Sequence, residues 1–199
     1  LTVHNVRNFH YRSETDFDVR YEDRTYDRSK LIHADLIMSY WASPAICHTF
    51  VTFVFSDGKY LCVSIETRKE KGEGYSAVRG LFRQYELIYI FADERDLIGL
   101  RTDHRREDVY LYRLRLDQRR LRDIFDDYIK TANELAAHPR WYNAITDSCS
   151  IGIIYHARTS PGHRRFHIRS LVNGYWDEYL YAEGGIFNEL PFDQVPAMS

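Results

Sequence analysis

Along the first half of the chain, apolar positions either alternate with polar ones or run together in short blocks, and both patterns predict strands. Val19 to Tyr26 is polar and rich in Arg and Asp, which reads as an edge strand or loop, whereas Leu31 to Trp41 is more apolar and reads as a strand. His48 to Phe55 and Lys59 to Arg68 are strongly strand-like and flank Ser56-Asp57-Gly58, a hairpin signal. Val78, Leu81, Phe82 and Tyr85 recur at helical spacing, so Ser76 to Tyr85 is expected to be a short helix. Leu87 to Ala92 fits a strand buried on both faces. Val109 to Leu116 is expected to be another, with Tyr110 and Tyr112 on one side. Asp93 to Arg106 between them reads as charged connection.

The period then changes. From about Asp117 to His138, Leu121, Ile124, Phe125, Tyr128, Ile129, Ala132, Leu135 and Ala136 form one apolar stripe, and Pro139 follows. This predicts a long helix whose stripe is explained by core packing. A second helix is expected to open at Asp147 or Ser148, both good N-caps, with Ile151, Ile154 and Tyr155 on its buried side. Cys149 would then lie in the first turn. Beyond Arg158 the pattern breaks into Thr159-Ser160-Pro161-Gly162, a basic patch and an aromatic tail with Tyr175, Trp176, Tyr179, Tyr181 and Phe187, expected to pack over the core. The division read from this is 1–158 as one domain and 159–199 as an aromatic-rich extension.

Composition narrows the class. The 199 residues include 30 aromatics, enough to form a substantial core and to exclude a disordered chain. Twenty-two Arg and five Lys are nearly balanced by 29 acids, so the net basic field of a nucleic-acid binder is missing. No stretch reaches the roughly 18 to 20 apolar residues of a membrane span. Cys47, Cys62 and Cys149 cannot all pair, and no C-x-x-C spacing suggests zinc. His156, His163 and His167 contain an i, i+4 pair, but Pro161-Gly162 breaks any helix before it and no carboxylate has matching spacing. There is no phosphate-cradling Gly-rich loop and no Gly-x-Ser-x-Gly elbow, so neither a metal nor a cofactor is expected.

Cys149 is the residue with the most chemistry available to it. A helix N-terminus offers partial positive charge and backbone N–H groups, which favour a thiolate and could form part of an oxyanion site. The plain alternative is a small buried hydrophobe. A thiol nucleophile needs a base, and His48, at the start of a strand, is the candidate. If Ser56-Asp57-Gly58 is a three-residue loop with Gly58 left-handed, Phe55 faces Lys59 and, carried back along the strands, His48 faces Glu66. Cβ atoms so opposed are about 4.5 to 5.5 Å apart, and Glu66 could orient the imidazole. If Asp57-Gly58 is a two-residue turn, His48 faces Thr67 and Glu66 points to the other face. Alternatively, His48 is a satisfied strand histidine and Glu66 an ion-pair partner of Arg68 or Lys69. Cys47 and Cys62 fall within strands and are read as inert.

Several blocks of the sequence resemble the Lnb N-terminal periplasmic domain family. They are Val6-Arg7-Asn8-Phe9 with Tyr11-Arg12, Arg24-Thr25-Tyr26-Asp27, Cys47-His48-Thr49-Phe50, Ser64 to Lys71 (SIETRKEK), Gly80 to Leu87 (GLFRQYEL), Asp93-Glu94-Arg95-Asp96, and Trp141-Tyr142-Asn143 leading to Cys149. They cover most of residues 3–158. The resemblance implies an α+β, permuted papain-like (NlpC-like) fold: an antiparallel sheet packed against helices, the His and acidic strands preceding the helix that carries the Cys at its N-terminus. The order His48, Glu66, Cys149 agrees with it. There is one departure: Ser148 and Ser150 stand where the family's usual pattern has Asn before the nucleophile and Thr after it. A serine at 148 still caps a helix and donates a hydrogen bond.

The family's name comes from a bacterial lipoprotein N-acyltransferase, so the resemblance implies acyl transfer through a cysteine thioester, from a lipid-linked or acylated donor to an amine. It also implies a periplasmic location in an inner-membrane-anchored bacterial protein, with membrane proximity supplied by segments outside this chain. The expected catalytic set is Cys149 as nucleophile, His48 as base and Glu66 as orienter, with Arg68, Tyr142, Asn143 and Ser148 lining the cleft. Two other readings are a thiol amidase or peptidase acting on cell-wall peptides, and a non-catalytic binding or sensory domain with an inert thiol. Oligomeric state is not readable.

Overall fold

The computed structural model describes residues 1–68, 85–143, 146–158 and 173–187. The expected helix over Ser76–Tyr85 falls almost wholly outside them, as do His163 and His167. Nine strands are described: β1 Thr2–Arg7, β2 His10–Tyr11, β3 Phe17–Asp18, β4 Tyr21–Thr25, β5 Leu31–Ser43, β6 Ile46–Phe55, β7 Tyr60–Arg68, β8 Glu86–Ala92 and β9 Asp108–Arg113. Seven form one sheet in the order β4-β1-β8-β7-β6-β5-β9, while β2 and β3 pair separately. Four helices accompany them among the described residues: α1 Glu94–Gly99, α2 Gln118–Ala137, α3 Cys149–Arg158 and α4 Trp176–Ala182.

The class is therefore α+β, but the sheet is mixed rather than antiparallel. β1 runs parallel to β8, meeting it at Arg7↔Ala92, whereas the other neighbours are antiparallel. Strands so far apart in sequence leave no local signal of their pairing.

The β6–β7 hairpin closes on a three-residue loop. Phe55 N–H donates to the Lys59 carbonyl at 2.9 Å, and Gly58 has φ +78°, a conformation that costs a side-chain-bearing residue more than glycine. Val54↔Tyr60 through Val51↔Val63 follow in register. Beyond that last pair the ladder between β6 and β7 stops, while β5 stays paired with β6 past Ser39↔His48.

Because strand residues alternate between faces, the sheet has two cores. On one face Val51, Phe53 and Phe55 of β6 pack with Leu121, Phe125 and Tyr128 of α2, the predicted stripe. Asp117 caps that helix, its carboxylate accepting from Arg120 N–H at 2.8 Å. Trp176 and Ile186 join the same core, whereas Tyr175 and Phe187 of the aromatic tail are exposed. On the other face Ile37, Phe50, Cys62, Ala92 and Val109 pack with Leu97.

Leu97 lies in what reads from sequence as charged connection. Asp93 instead caps α1, its carboxylate accepting from Arg95 N–H at 3.0 Å, and α1 runs on into a π-helical turn, Leu100–His104. The apolar positions Leu97 and Leu100 were the available signal, outnumbered by charges. Asp96, fully buried, accepts from Arg7 Nε at 2.9 Å, Arg7 Nη2 at 2.6 Å and Phe9 N–H at 2.7 Å. The expected strand over Val109–Leu116 ends at Arg113, and Leu114 makes only an isolated bridge to Ile186.

The Arg7–Asp96 pair ties α1 to the sheet, and removing one partner strands a buried charge. Asp96→Ala is expected to lower unfolding free energy by about 3–5 kcal/mol in a denaturant titration. A loss below about 1 kcal/mol would show that the pair does not hold this layer.

A candidate thiol site where two strands part

β6 and β7 separate beyond Val51↔Val63, and α3 packs against both of them there. Gly152 lies at this contact, where an added Cβ would come 2.4 Å from Ile65 Cδ1 of β7 and that side chain would have to shift. Ser150, Ile153 and His156 are the buried positions, while Tyr155 is exposed and Ile151 and Ile154 are half-buried. The face expected from hydropathy, Ile151, Ile154 and Tyr155, is therefore corrected, because Ser150 docks on Thr49 of β6 and His156 on Asp127 and Tyr89. His156 is held by Asp127 at 2.7 Å and the Tyr89 hydroxyl at 2.9 Å, and burial lowers its pKa despite that carboxylate.

Cys149 is the first residue of α3. The helix's first bond runs from Gly152 N–H to the Ser148 carbonyl at 2.8 Å, which makes Ser148 the N-cap position. The Ser150 and Thr49 hydroxyls meet at 3.3 Å, docking the helix start on β6. The Ser150 hydroxyl is 4.0 Å from the Cys149 sulfur, and its contact with Thr49, the residue after His48 on β6, brings the helix start beside that histidine. Burial disfavours the Cys149 thiolate, yet His48, aided by Thr49, outweighs that and lowers the thiol to about 6. Burial pushes the Cys47 and Cys62 thiols up instead.

His48 lies on the α1 side of β6, and Ser64 and Glu66 share that side of β7. The imidazole Nε2 is 2.7 Å from Ser64 Oγ, and that hydroxyl donates to Glu66 Oε1 at 2.8 Å. The same carboxylate oxygen is 3.6 Å from His48 Nε2. The direct hydrogen bond expected from the hairpin register is thus replaced by one through Ser64, because the strands have already parted. Burial works against the Glu66 carboxylate, but the charges of His48, Arg101 and Arg7 and the Ser64 hydroxyl together lower it to about 2. Its ion-pair partner from the helical layer is Arg101, at 3.6 Å. Arg101, Ser64 and Thr49 are the members that sequence reasoning missed. Ser64 was legible two residues before Glu66 on one strand face, whereas Arg101 was hidden in the segment read as connection.

The other cleft candidates fall differently. Arg68 is largely exposed and pairs with Glu86 at 3.1 Å. Tyr142 is buried in the core, its N–H donating to the Tyr85 carbonyl at 2.7 Å, which is a packing position. Asn143 caps the turn before α3: its carbonyl accepts from Asp147 N–H at 2.8 Å and its side-chain oxygen from Thr146 N–H at 3.4 Å. Among the described residues no group of three or more His, Cys, Asp or Glu could hold a metal ion, and no helix is long and apolar enough to cross a membrane.

Fold and site together describe an α+β domain with a cysteine at a helix start docked next to a strand histidine. The chain belongs to the Lnb N-terminal periplasmic domain family, whose model matches residues 17–174. The family's name indicates a periplasmic domain. Neither the curated proteins nor the solved structures yielded a match.

Since the thiolate is the nucleophile, alkylation of Cys149 is expected to rise with pH through about 6 and level off above it. A free thiol would keep rising through about 8.5. Site-resolved mass spectrometry after short iodoacetamide pulses checks this, with Cys47 and Cys62 remaining unmodified in the folded protein.

Proposed function

We propose that this chain is the catalytic domain of a cysteine acyltransferase acting on a lipid-bearing donor, with Cys149 as nucleophile, His48 as general base and acid, and Glu66 as orienter through Ser64. The observation that carries the reading is a cysteine at a helix start docked through Ser150 on Thr49, the neighbour of His48, with His48 linked through Ser64 to Glu66; the charge of His48 lowers the thiol to about 6. In the first half-reaction the Cys149 sulfur attacks the donor's ester carbonyl and the acyl–oxygen bond breaks. The thiol proton passes by way of His48 to the departing alkoxide, leaving an acyl thioester. An amine then attacks the thioester, His48 takes its proton and returns it to the sulfur, and an amide leaves. Nε2 is engaged by Ser64 and Glu66, which leaves Nδ1 to take the thiol proton in this reading. Backbone N–H groups at the start of α3 would receive the oxyanion.

The surroundings of the site favour an apolar donor over a polar peptide. Trp41 lies near the end of β5, Ile46 opens β6, Trp141 bridges to Glu86 at the start of β8, and Tyr175 follows Gly174, whose N–H donates to the Ala45 carbonyl. All four are exposed at the end of the sheet where His48 lies. Exposed aromatics of this kind suit a lipid–water boundary. In this reading the arrangement is a permuted papain-like one, with residues 1–158 as the catalytic domain and 159–199 as an extension on it. The whole would be the periplasmic part of an inner-membrane-anchored protein.

The test is incubation with vesicles carrying a diacyl lipopeptide, followed by intact mass. An added acyl mass on Cys149, removed by hydroxylamine and absent in Cys149→Ser, is the expected result, and His48→Ala should slow its formation by about 10²–10⁴-fold. Cleavage of cell-wall peptides without an acyl adduct would replace the reading by an amidase. Alkylation of Cys149 indifferent to His48 would leave a binding domain.

A further inference from the structure

We propose that Arg101 is a positioning residue of the thiol site, holding the Glu66 carboxylate ionised and aimed at the Ser64–His48 pair. The inference rests on the reading of Cys149 as nucleophile and adds a residue to it. Arg101 is buried in the π-helical turn, a distortion that recurs at functional sites and here turns a long cationic side chain inward. Its Nη1 donates to the Leu97 carbonyl at 2.8 Å and its guanidinium lies 4.9 Å from the centre of the Phe50 ring. That ring in turn stacks on the His48 imidazole at 5.6 Å with planes 28° apart. Phe50 thus separates the guanidinium from the imidazole while packing on both.

The decisive geometry is at one oxygen. Glu66 Oε1 accepts from Ser64 at 2.8 Å, lies 3.6 Å from His48 Nε2 and lies 3.6 Å from Arg101 Nη2. The groups facing this carboxylate are His48 from β6, Ser64 from its own strand, Arg101 from the π turn and, farther off, Arg7 from β1, itself bound to Asp96. On its other side Arg101 faces a second acid, Glu107, with Nε 3.9 Å from Oε2. Glu107 also lies 3.8 Å from Arg105 and accepts a hydrogen bond from Ser39, the residue paired with His48 across β5 and β6. A surface ion pair would carry no such implication, because its net worth is small. A buried cation between two acids, one of them sharing its oxygen with the base, sets the charge that the base experiences. A protonated Glu66 could no longer support the imidazolium, and the thiolate paired with it would be lost at mildly acidic pH.

The test is the pH profile of Cys149 alkylation in the full chain. In Arg101→Gln the midpoint is expected to move up by about one unit, so that the rate at pH 5 falls about tenfold while the rate at pH 9.5 stays within about twofold. Arg101→Lys, which keeps the charge but loses the planar fork, should give a smaller shift. An unmoved midpoint in a folded Arg101→Gln variant would reduce Arg101 to packing. If that variant does not fold, Arg101→Lys is combined with Glu66→Gln. The double variant is expected to shift no further than Glu66→Gln alone, because Arg101 acts through Glu66, and additive shifts would overturn the proposal. Failure of the nucleophile reading looks different: wild-type Cys149 would then titrate near 8.5 or ignore His48→Ala.

Discussion

The parting of β6 and β7 is the constraint on which the site depends. A continuous ladder would keep the two faces of the sheet apart, with His48 and Glu66 on one and α3 on the other. Beyond Val51↔Val63 the ladder between β6 and β7 stops, and Thr49 of β6 meets Ser150 at the start of α3. The helix start therefore meets His48 from the opposite face of the sheet. Gly152 against Ile65 and Ser150 against Thr49 hold it there.

Burial alone would protonate both acids of the site. Desolvation opposes the Cys149 thiolate and the Glu66 carboxylate alike, and in each case neighbouring charge reverses the outcome. For the thiol that charge is His48. For the carboxylate it comes from His48 and from the helical layer, which supplies Arg101. The Arg7–Asp96 pair anchors that layer to β1. Cys47 and Cys62 have the burial without the compensating charge, and their thiols rise.

The chain belongs to the Lnb N-terminal periplasmic domain family, and the two serines that flank Cys149 have definite structural roles. Ser148 provides the carbonyl that receives the first helical bond, and Ser150 joins the helix to β6.

Local pattern was sufficient for much of the chain. The β6–β7 hairpin, the long α2 with its buried stripe and the placement of Cys149 at a helix start follow from short-range rules: alternation, helical spacing and capping residues. These rules act over a few residues, so the sequence by itself determined them. What crosses between distant segments was decided only by the tertiary structure. The parallel meeting of β1 and β8, the docking face of α3, the insertion of Ser64 between His48 and Glu66, and the inward turn of Arg101 all depend on which surfaces become neighbours. Charge patterning misled at Asp93–Arg106 because a buried ion pair and a solvated one use the same residues, and only the partner across the fold distinguishes them.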